Sequence, residues 1–422
     1  SGDYAIVGAY GDDDNGSSSG SVYIFYYDGT SWSEQAKLTA ASDGSTNDYF
    51  GYSVSISGDY AIVGAYGDGV NLGSAYIFQR NGTSWSLQAK LLASDGDYDD
   101  WFGYSVSISG DYAIVGARYD DDNGTNSGSA YIFYYNGTYW PQHQQAKLLV
   151  SDGAADDTFG QSVSISGDYA IVGAHGDDDN GSQSGSAYIF ERSGTSWNQQ
   201  GKLLASDGAD LDYFGNSVSI SGDFAIVGAN YGDGNEVGSG SAYIFKRDGT
   251  SWSEQAKLTA TDGAAGDRFG ISVSISGDYA IVGAYADDDN GTNSGSAYIY
   301  LGLSEIHGTK WHDTDGDFVE DTDETGMGGW RIYIDVNENG QFDAGEPNDI
   351  TDANGNYVLI VPEGTYLIAE EDRPCWEQTY PGGDGTFTVT LGIAEIVQGL
   401  NFGTARPTEI HPSGFQQDQQ DK

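Results

Sequence analysis

The sequence predicts an all-β protein with two folded parts, a six-bladed β-propeller and, after it, a small β-sandwich. Three observations support this prediction. The motif SGDYAIVGA occurs six times with one Tyr-to-Phe change, strand-like segments without a helical pattern separate its copies, and the repetition stops near residue 302. Internal periods of this size are typical of propellers and solenoids. The first glycines of the six copies are Gly2, Gly58, Gly110, Gly167, Gly222 and Gly277.

One repeat shows how the predicted blade is built. Residues 50–57 alternate apolar and polar side chains and end in a Ser-Gly-Asp turn, which predicts a strand, named A. Residues 60–65 are almost continuously apolar, as expected for a strand B that is covered on both faces. Residues 73–78 and 83–91 follow as strands C and D. Radial closure is expected, because an open stack of such sheets would leave long edges exposed.

The strand count predicts that the first and last blades are incomplete. Strands B and C occur six times, whereas A and D occur five times, so the first blade lacks A and the sixth lacks D. We expect the A strands to lie innermost. A phenylalanine beside a glycine opens each A strand and suits a wedge between converging sheets. These phenylalanines are Phe50, Phe102, Phe159, Phe214 and Phe269.

The Phe-Gly pairs, each followed about 13 residues later by Val-Gly-Ala, resemble the FG-GAP repeats of integrin α-subunit propellers and their bacterial relatives. The resemblance covers residues 1–302 and implies a β-propeller. Integrin repeats often carry a DxDxDG calcium loop between strands A and B. This chain has only the turn Ser-Gly-Asp there, so the integrin-type calcium sites are not carried over.

The composition of the sequence limits the kinds of molecule that the protein can bind. The formal net charge is -48, which excludes nucleic acid as a partner and favours cations or basic surfaces. Cys375 is the single cysteine, so no intramolecular disulfide forms and stability must come from packing or bound metal. No apolar run is long enough for a membrane span. The sequence therefore favours an extracellular, secreted or cell-surface location.

Acidic loops between strands B and C are the first candidate metal sites. The pattern Asp-Asp-Asp-Asn-Gly occurs there in four repeats and could offer several oxygens to Ca²⁺. The alternative, a solvated acidic turn, stays open because these loops lack the terminal glutamate of a specific calcium loop. The candidate residues are Asp12, Asp14, Asp120, Asp122, Asp177, Asp179, Asp287 and Asp289.

After a predicted linker at 303–305, residues 306–405 contain two sharper calcium motifs. In the second loop, residues at positions 1, 3, 5, 7, 9 and 12 match a twelve-residue calcium loop, and Gly340 is at position 6. In the first loop the spacing repeats, but the glycine, Gly316, comes before position 6. The predicted ligands are Asp313, Asp315, Asp317, Val319, Asp321 and Glu324, then Asp335, Asn337, Asn339, Gln341, Asp343 and Glu346.

These ordered motifs and the strand-like segments around them resemble an SdrD B-type repeat, a small calcium-binding β-sandwich of bacterial surface proteins. The resemblance spans nearly 100 residues. Because strands or coil rather than helices flank the two loops, we expect structural calcium sites and not a switch.

The search for catalytic motifs favours a protein that is not an enzyme. The five histidines lack metal-ligand spacing, and there is no nucleophile elbow, phosphate loop or Cys-His pair. Three function classes remain. A self-assembling subunit of an extracellular filament, sheath or surface layer is favoured, an adhesin that binds protein or glycan through the propeller loops is the alternative, and a secreted hydrolase comes third.

The C-terminal tail, residues 406–422, is polar and rich in Gln and Asp. Aligned with strand D of the third repeat, residues 140–147, it has an aromatic residue first and then matching polar residues. We therefore expect it to add as the outer strand of a sixth blade, in the same or a neighbouring copy. The alternative is a chance match within a glutamine-rich segment. The predicted assembly-strand residues are Phe415, Gln417, Gln419, Gln420 and Lys422.

Overall fold

The structure is a computed structural model. It describes residues 1–407 except 41–42, 278, 290, 302–303, 363, 384 and 392–395. The chain forms two compact units: the first comprises Ser1–Ser253, Leu258–Gly277 and Ile281–Tyr298, and the second comprises Glu254–Lys257, Asp278–Ala280 and the chain from Ile299 onward. The predicted assembly strand, residues 415–422, lies outside the described residues.

The six repeats form six sheets whose strands are neighbours in chain order. The first unit contains most of these strands, and short parts of blades 5 and 6 belong to the second unit. Blade 1 has β1 (Tyr4–Ala9), β2 (Ser21–Tyr27) and β3 (Trp32–Leu38). Blade 2 has β4 (Val54–Ser57), β5 (Tyr60–Ala65), the short helical turn α1 (Asp68–Asn71), β6 (Ser74–Asn81) and β7 (Ser84–Leu91). Blade 3 has β8 (Phe102–Ser109), β9 (Tyr112–Ala117), β10 (Ser129–Tyr134) and β11 (Ala146–Leu148).

The remaining blades follow the same plan. Blade 4 has β12 (Phe159–Ser166), β13 (Tyr169–Ala174), β14 (Ser186–Ser193) and β15 (Ser196–Leu203). Blade 5 has β16 (Phe214–Ser221), β17 (Phe224–Ala229), β18 (Ser241–Asp248) and β19 (Ser251–Leu258). Blade 6 has β20 (Phe269–Ser276), β21 (Tyr279–Ala284) and β22 (Ser296–Leu301). Among the described residues, blades 1 and 6 thus have three strands and the others four.

The A strands lie innermost, as the sequence predicts. Serine side chains on one A strand accept hydrogen bonds from backbone N–H groups on the next: Ser55 Oγ from Ile108 at 3.2 Å and Ser164 Oγ from Ile220 at 3.1 Å. Side chains from the A strands line a central cavity of about 430 Å³. The prediction of an all-β protein with six propeller-type blades is confirmed. The expected radial closure is not seen among the described residues, because Val7 of blade 1 and Ile281 of blade 6 are 50% and 42% exposed where their equivalents in the blades between are buried.

In blades 3, 4 and 5 the Phe-Gly pair starts the A strand in a β-bulge. In blade 3, Phe102 pairs with Ala117 but the next regular pair is Ser105 with Gly116. A bulge bends a strand locally and increases its twist. Phe102 is fully buried and packs against Ile62 and Ala75 of blade 2 as well as against aromatic residues of its own blade. The predicted packing of these phenylalanines between neighbouring blades is therefore confirmed.

In blades 1 to 5 the glycine of Val-Gly-Ala is required because the next blade's backbone comes very close. A Cβ atom added to Gly173 would lie 1.9 Å from the carbonyl oxygen of Gly215. The same contact recurs at Gly64 with Gly103 and at Gly228 with Gly270. The Val-Gly-Ala of one blade and the Phe-Gly of the next are therefore two halves of one contact. In blade 6, a Cβ on Gly283 would meet the side-chain oxygen of Ser272 and no neighbouring blade.

We predict that Gly173→Ala lowers the stability of the first unit by roughly 1–3 kcal/mol, because overpacking forces two backbones apart. Thermal unfolding followed by circular dichroism measures the effect. Gly283→Ala is the matched control and should change the midpoint much less, since a serine side chain can rotate away. Equal losses in the two variants would contradict the inter-blade explanation.

The second unit is a sandwich of two sheets. Its strands are β23 (Ser304–His312), β24 (Arg331–Ile334), β25 (Asn348–Ile350), β26 (Asn356–Val361), β27 (Gly364–Glu370), β28 (Glu377–Tyr380), β29 (Phe387–Leu391), β30 (Ile396–Val397) and β31 (Phe402–Ala405). One sheet has the order β26-β23-β31-β28, with β30 beside β23, and the other has the order β25-β24-β27-β29.

The inner faces of both sheets form one core that includes Ile306, Ile332, Ile368 and Phe402. A buried ion pair joins the sheets: Lys310 Nζ on β23 lies 2.5 Å from Glu370 Oε2 on β27. The predicted linker at 303–305 is wrong at its end, because β23 already begins at Ser304. Ser304 is fully buried and pairs with Val361, so the alternating segment that follows is a central strand.

Candidate functional site

The two predicted calcium loops occupy equivalent places in the sandwich. Loop 313–324 follows β23, and loop 335–346 follows β24. The residue at position 1 of each loop is buried, with exposed fractions of 0% for Asp313 and 3% for Asp335. Their backbone N–H groups donate to the carbonyl oxygens of Thr404 and Leu367, both at 2.9 Å. The sheets therefore hold the first carboxylate of each loop in place.

Loop 335–346 is closed by hydrogen bonds to its first and last carboxylates. Asp335 accepts the N–H groups of Asn339 at 3.0 Å and Gly340 at 2.7 Å. Glu346 accepts those of Val336 at 2.9 Å and Asp343 at 3.0 Å. The loop thus wraps around its own carboxylates.

Loop 313–324 has the same arrangement. Asp313 accepts the N–H groups of Gly316 at 2.7 Å and Phe318 at 3.1 Å, and Glu324 accepts those of Thr314 at 2.7 Å and Asp321 at 3.1 Å. At position 6, Phe318 has φ = 71°, almost the value of 72° at Gly340 in the other loop. The left-handed turn at position 6 is therefore kept without a glycine there.

Carboxylates converge in loop 313–324. One oxygen from each of Asp313, Asp315 and Asp317 lies within 4.8 Å of the others. The pKa of Asp321 is raised, first by desolvation and then by the negative charges of Asp317 and Asp315. A bound cation would oppose this rise, and clustered carboxylate oxygens are the hard ligands that Ca²⁺ prefers.

Loop 335–346 offers a mixed set of carboxylate and amide oxygens. The amide nitrogens of Asn337 and Asn339 donate to Asp343 Oδ2 at 2.8 and 2.7 Å and lower the pKa of Asp343. The twelve predicted ligand residues therefore fall into two compact loops, six in each. Both donor sets fit Ca²⁺ chemically.

The acidic loops of the propeller have a different partner, a lysine from strand D. Lys147 Nζ lies 2.9 Å from Asp120 and 2.6 Å from Asp122, and Lys202 Nζ lies 2.8 Å from Asp177 and 2.6 Å from Asp179. Lys37 contacts Asp12 and Asp14 in the same way. In these three blades the ammonium group of a lysine contacts both of the aspartates that were candidate metal ligands.

These lysines, and the tyrosine beside each of them, are not predicted by the acidic motifs of the sequence. Tyr131 donates its hydroxyl to Asp120 at 2.6 Å, and Tyr188 donates to Asp177 at 2.9 Å. A signal was present, since each strand D carries the tripeptide Ala-Lys-Leu or Gly-Lys-Leu and each strand C carries a tyrosine. We call one lysine, its tyrosine and its aspartates the lysine cluster of a blade.

Each blade has two apolar sides, which we name the Ile side and the Val side after the strand-B residue that each contains. The Ile side of blade 2, with Ile62, Ala75 and Ile77, packs against the Val side of blade 3, with Val115 and Ala117. The same pairing joins blades 1 and 2, 3 and 4, and 4 and 5.

At the two ends of this series one side is uncovered. Val7 on the Val side of blade 1 is 50% exposed, whereas its equivalents Val63, Val115 and Val172 are fully buried. Ile281 on the Ile side of blade 6 is 42% exposed. We call the Val side of blade 1 the first end face and the Ile side of blade 6 the last end face.

The FG-GAP repeat family matches the chain at residues 1–25, 32–78, 85–133, 143–190, 197–245 and 252–300. These six matches cover more than half of the chain, and the chain belongs to the FG-GAP repeat family. FG-GAP repeats are typical of extracellular or cell-surface proteins. A search of curated proteins gave no match to this chain.

The described part of the chain contains no helix with the length and hydropathy needed to cross a membrane. The family matches end at residue 300. For residues 306–405, the resemblance to an SdrD B-type repeat stays a prediction.

We predict that a calcium chelator destabilises the second unit far more than the propeller. Calcium at a hundredfold excess over Kd contributes about 2.7 kcal/mol at each site. For a domain of this size, losing two such sites lowers the unfolding midpoint by roughly 10 °C or more. Calorimetry with and without EGTA makes the measurement. An unmoved transition of the second unit would contradict the assignment, and the propeller transition is the internal control.

Proposed function

We propose that this FG-GAP repeat protein is an extracellular structural protein that self-associates into a homopolymer, as in a filament, a sheath or a surface layer, and that calcium stabilises its second unit. The observation that carries the proposal is the pair of end faces. Each is one half of the apolar contact that already joins successive blades of the chain.

The two end faces suit each other in shape and chemistry. The last end face presents Ile281 where the covered blades present Ile62 or Ile114, and the first end face presents Val7 where they present Val63 or Val115. A second copy could therefore dock its first end face on the last end face of its neighbour by repeating an existing contact. Because the two surfaces differ, the contact is heterologous and generates a chain or ring of copies.

Charge sets the conditions for this association. Copies with a formal net charge of -48 repel one another at low ionic strength, whereas salt screens charges that lie more than about 10 Å apart at 0.1 M. Val7 and Ile281 are apolar, so their burial against a neighbour is favourable. Association is therefore expected in calcium and salt, and not at very low ionic strength.

Calcium fits the same proposal. The two loops each bring six potential ligand residues into twelve positions, and their carboxylates repel one another without a cation. In an extracellular location, where calcium is abundant and no intramolecular disulfide can form with one cysteine, calcium would replace covalent cross-links as the stabilising element.

The alternative function, an adhesin, is favoured by an aromatic group at one end of the central cavity. Tyr52, Tyr66, Trp101 and Tyr104 have ring centroids 4.8–5.9 Å apart, and Arg118 lies over Tyr104 at 4.6 Å. Partly exposed aromatic rings beside a cation can bind a glycan or a protein side chain. A protein that stays monomeric and loses ligand binding in Trp101→Ala would support this alternative.

We predict that Val7→Asp and Ile281→Asp each abolish self-association, because either change places a carboxylate in the apolar contact. Sedimentation velocity in calcium and salt should show concentration-dependent oligomers for the wild type and none for either variant. A mixture of the two variants should give dimers and nothing larger, since each variant keeps one intact end face.

Ile350→Asp is the matched control. Ile350 is an apolar residue of the second unit with 46% exposure, and it lies on neither end face. This variant should associate like the wild type. A wild type that stays monomeric at every concentration, or three variants that associate equally well, would contradict the proposal.

A further inference from the structure

Within the described part of the chain, blade 6 has the acidic half of a lysine cluster without the lysine. Tyr298 donates its hydroxyl to Asp262 and Asp287, both at 2.8 Å. The hydroxyl of Tyr131 in blade 3 makes the same two bonds, to Asp95 at 3.1 Å and Asp120 at 2.6 Å. The tyrosine and its aspartates are therefore arranged in blade 6 as in a complete blade.

In the complete blades, strand D delivers the cation. Lys147 contacts Asp95, Asp120 and Asp122 together, and Lys202 contacts Asp152, Asp177 and Asp179 together. Lys147 also pairs in register with Tyr131 across the sheet. Among the described residues, no lysine or arginine forms an ion pair with Asp262, Asp287 or Asp289. Blade 6 has three described strands where blades 2 to 5 have four.

The aspartates of a blade that has the lysine and those of blade 6 differ in the direction of their pKa shifts. In blade 2, Lys90 lowers the pKa of Asp43. In blade 6, Asp287 and then Asp262 raise the pKa of Asp289. A fourth strand that carries a lysine opposite Tyr298 would relieve this repulsion and complete the sheet.

The sequence of the tail contains such a strand. Gln419-Gln420-Asp421-Lys422 follows the pattern of Gln144-Gln145-Ala146-Lys147 in blade 3 and of Gln199-Gln200-Gly201-Lys202 in blade 4. Phe415 precedes Lys422 by seven positions, as Trp140 precedes Lys147. Placed in this register, Lys422 lies opposite Tyr298 as Lys147 lies opposite Tyr131.

We propose that residues 415–422 of a second copy form the fourth strand of blade 6, with Lys422 bound by Asp262, Asp287 and Asp289 next to Tyr298. The choice of a second copy rests on the proposed self-association. The binding of the segment to blade 6 does not rest on it and is tested separately. In this arrangement the tail adds main-chain hydrogen bonds to a contact between copies, as in β-strand addition.

The experiment measures binding of a fluorescent synthetic peptide, residues 411–422, to the full-length protein at a concentration where the protein is monomeric. Fluorescence anisotropy should show saturable binding. A peptide with Lys422→Gln should bind at least tenfold more weakly, since charge-assisted hydrogen bonds in a partly buried site are lost. Equal binding of the two peptides would overturn the role of the lysine.

Variants of the protein locate the binding site. Asp262→Asn with Asp289→Asn changes two exposed carboxylates of blade 6 and should weaken peptide binding at least tenfold. Asp152→Asn with Asp179→Asn is the matched control, because it changes the same loop positions in blade 4, where Lys202 already occupies the cluster. The control should bind the peptide like the wild type, and a loss of binding there as large as in blade 6 would overturn the inference.

A third measurement distinguishes a strand from the same chain from a strand of a second copy. A chain that ends at Pro407 should bind the peptide no more tightly than the full-length chain, because blade 6 of a monomer is open when the strand comes from a second copy. Strong binding by the shortened chain alone would show that the chain's own tail occupies the site, which overturns donation between copies. If the peptide binds but the protein never associates through its end faces, the proposed function fails and the assignment of blade 6 as the acceptor stands.

Discussion

The contact between successive blades is the constraint on which the rest of the structure depends. It has two parts, a close approach of two backbones and an apolar seam. A Cβ on Gly173 would lie 1.9 Å from the Gly215 carbonyl oxygen, so the Val-Gly-Ala and Phe-Gly motifs must be kept together in each repeat. Around this point, the Ile side of one blade buries the phenylalanine of the next. A repeated contact of this kind always leaves one unmatched surface at each end of the series unless the ends meet.

The acidic loops follow a second rule, because their carboxylates have defined partners or positions. Those in the B–C loops of blades 1, 3 and 4 share a lysine with a neighbouring aspartate. Those of Asp313, Asp315 and Asp317 in the first loop of the sandwich converge on a point suited to calcium. Blade 6 departs from this sharing of a lysine, because among the described residues its carboxylates contact the tyrosine but no lysine. Both departures from a repeated pattern, the uncovered end faces and this acidic cluster, are at the ends of the propeller.

Much of the fold could be predicted because the repeat is short and its pattern has a period of two. Strand β5, Tyr60–Ala65, has the predicted bounds, and the burial of Phe102 between blades follows from its place beside a glycine. Strand β4 begins at Val54 and not at residue 50, because Phe50 and Gly51 lie in an irregular segment where Phe50 pairs with Gly20 of the previous blade. The alternation of apolar and polar residues does not reveal irregular segments of this kind.

The site residues were predictable to different degrees for a physical reason. The calcium loops are local, so spacing alone brings Asp335 and Glu346 into one loop. Phe318 in a left-handed conformation was not predicted, since only its equivalence to Gly340 indicates it. The lysine clusters join residues about 25 to 50 positions apart, such as Lys147 with Asp120 and Asp95, and only the folded sheet brings them together. Strand β23 was missed because its glycine and charged residues hide a buried central strand.

The proposed contact between copies repeats the contact between blades. Hydrogen exchange of the full-length protein in calcium, compared at low and high protein concentration, tests it most directly. We expect the backbone amides of β1 (Tyr4–Ala9) and β21 (Tyr279–Ala284) to exchange more slowly at high concentration. Those of β13 (Tyr169–Ala174), already covered by neighbouring blades, should stay unchanged. Unchanged exchange in β1 and β21 in the associated protein would contradict it.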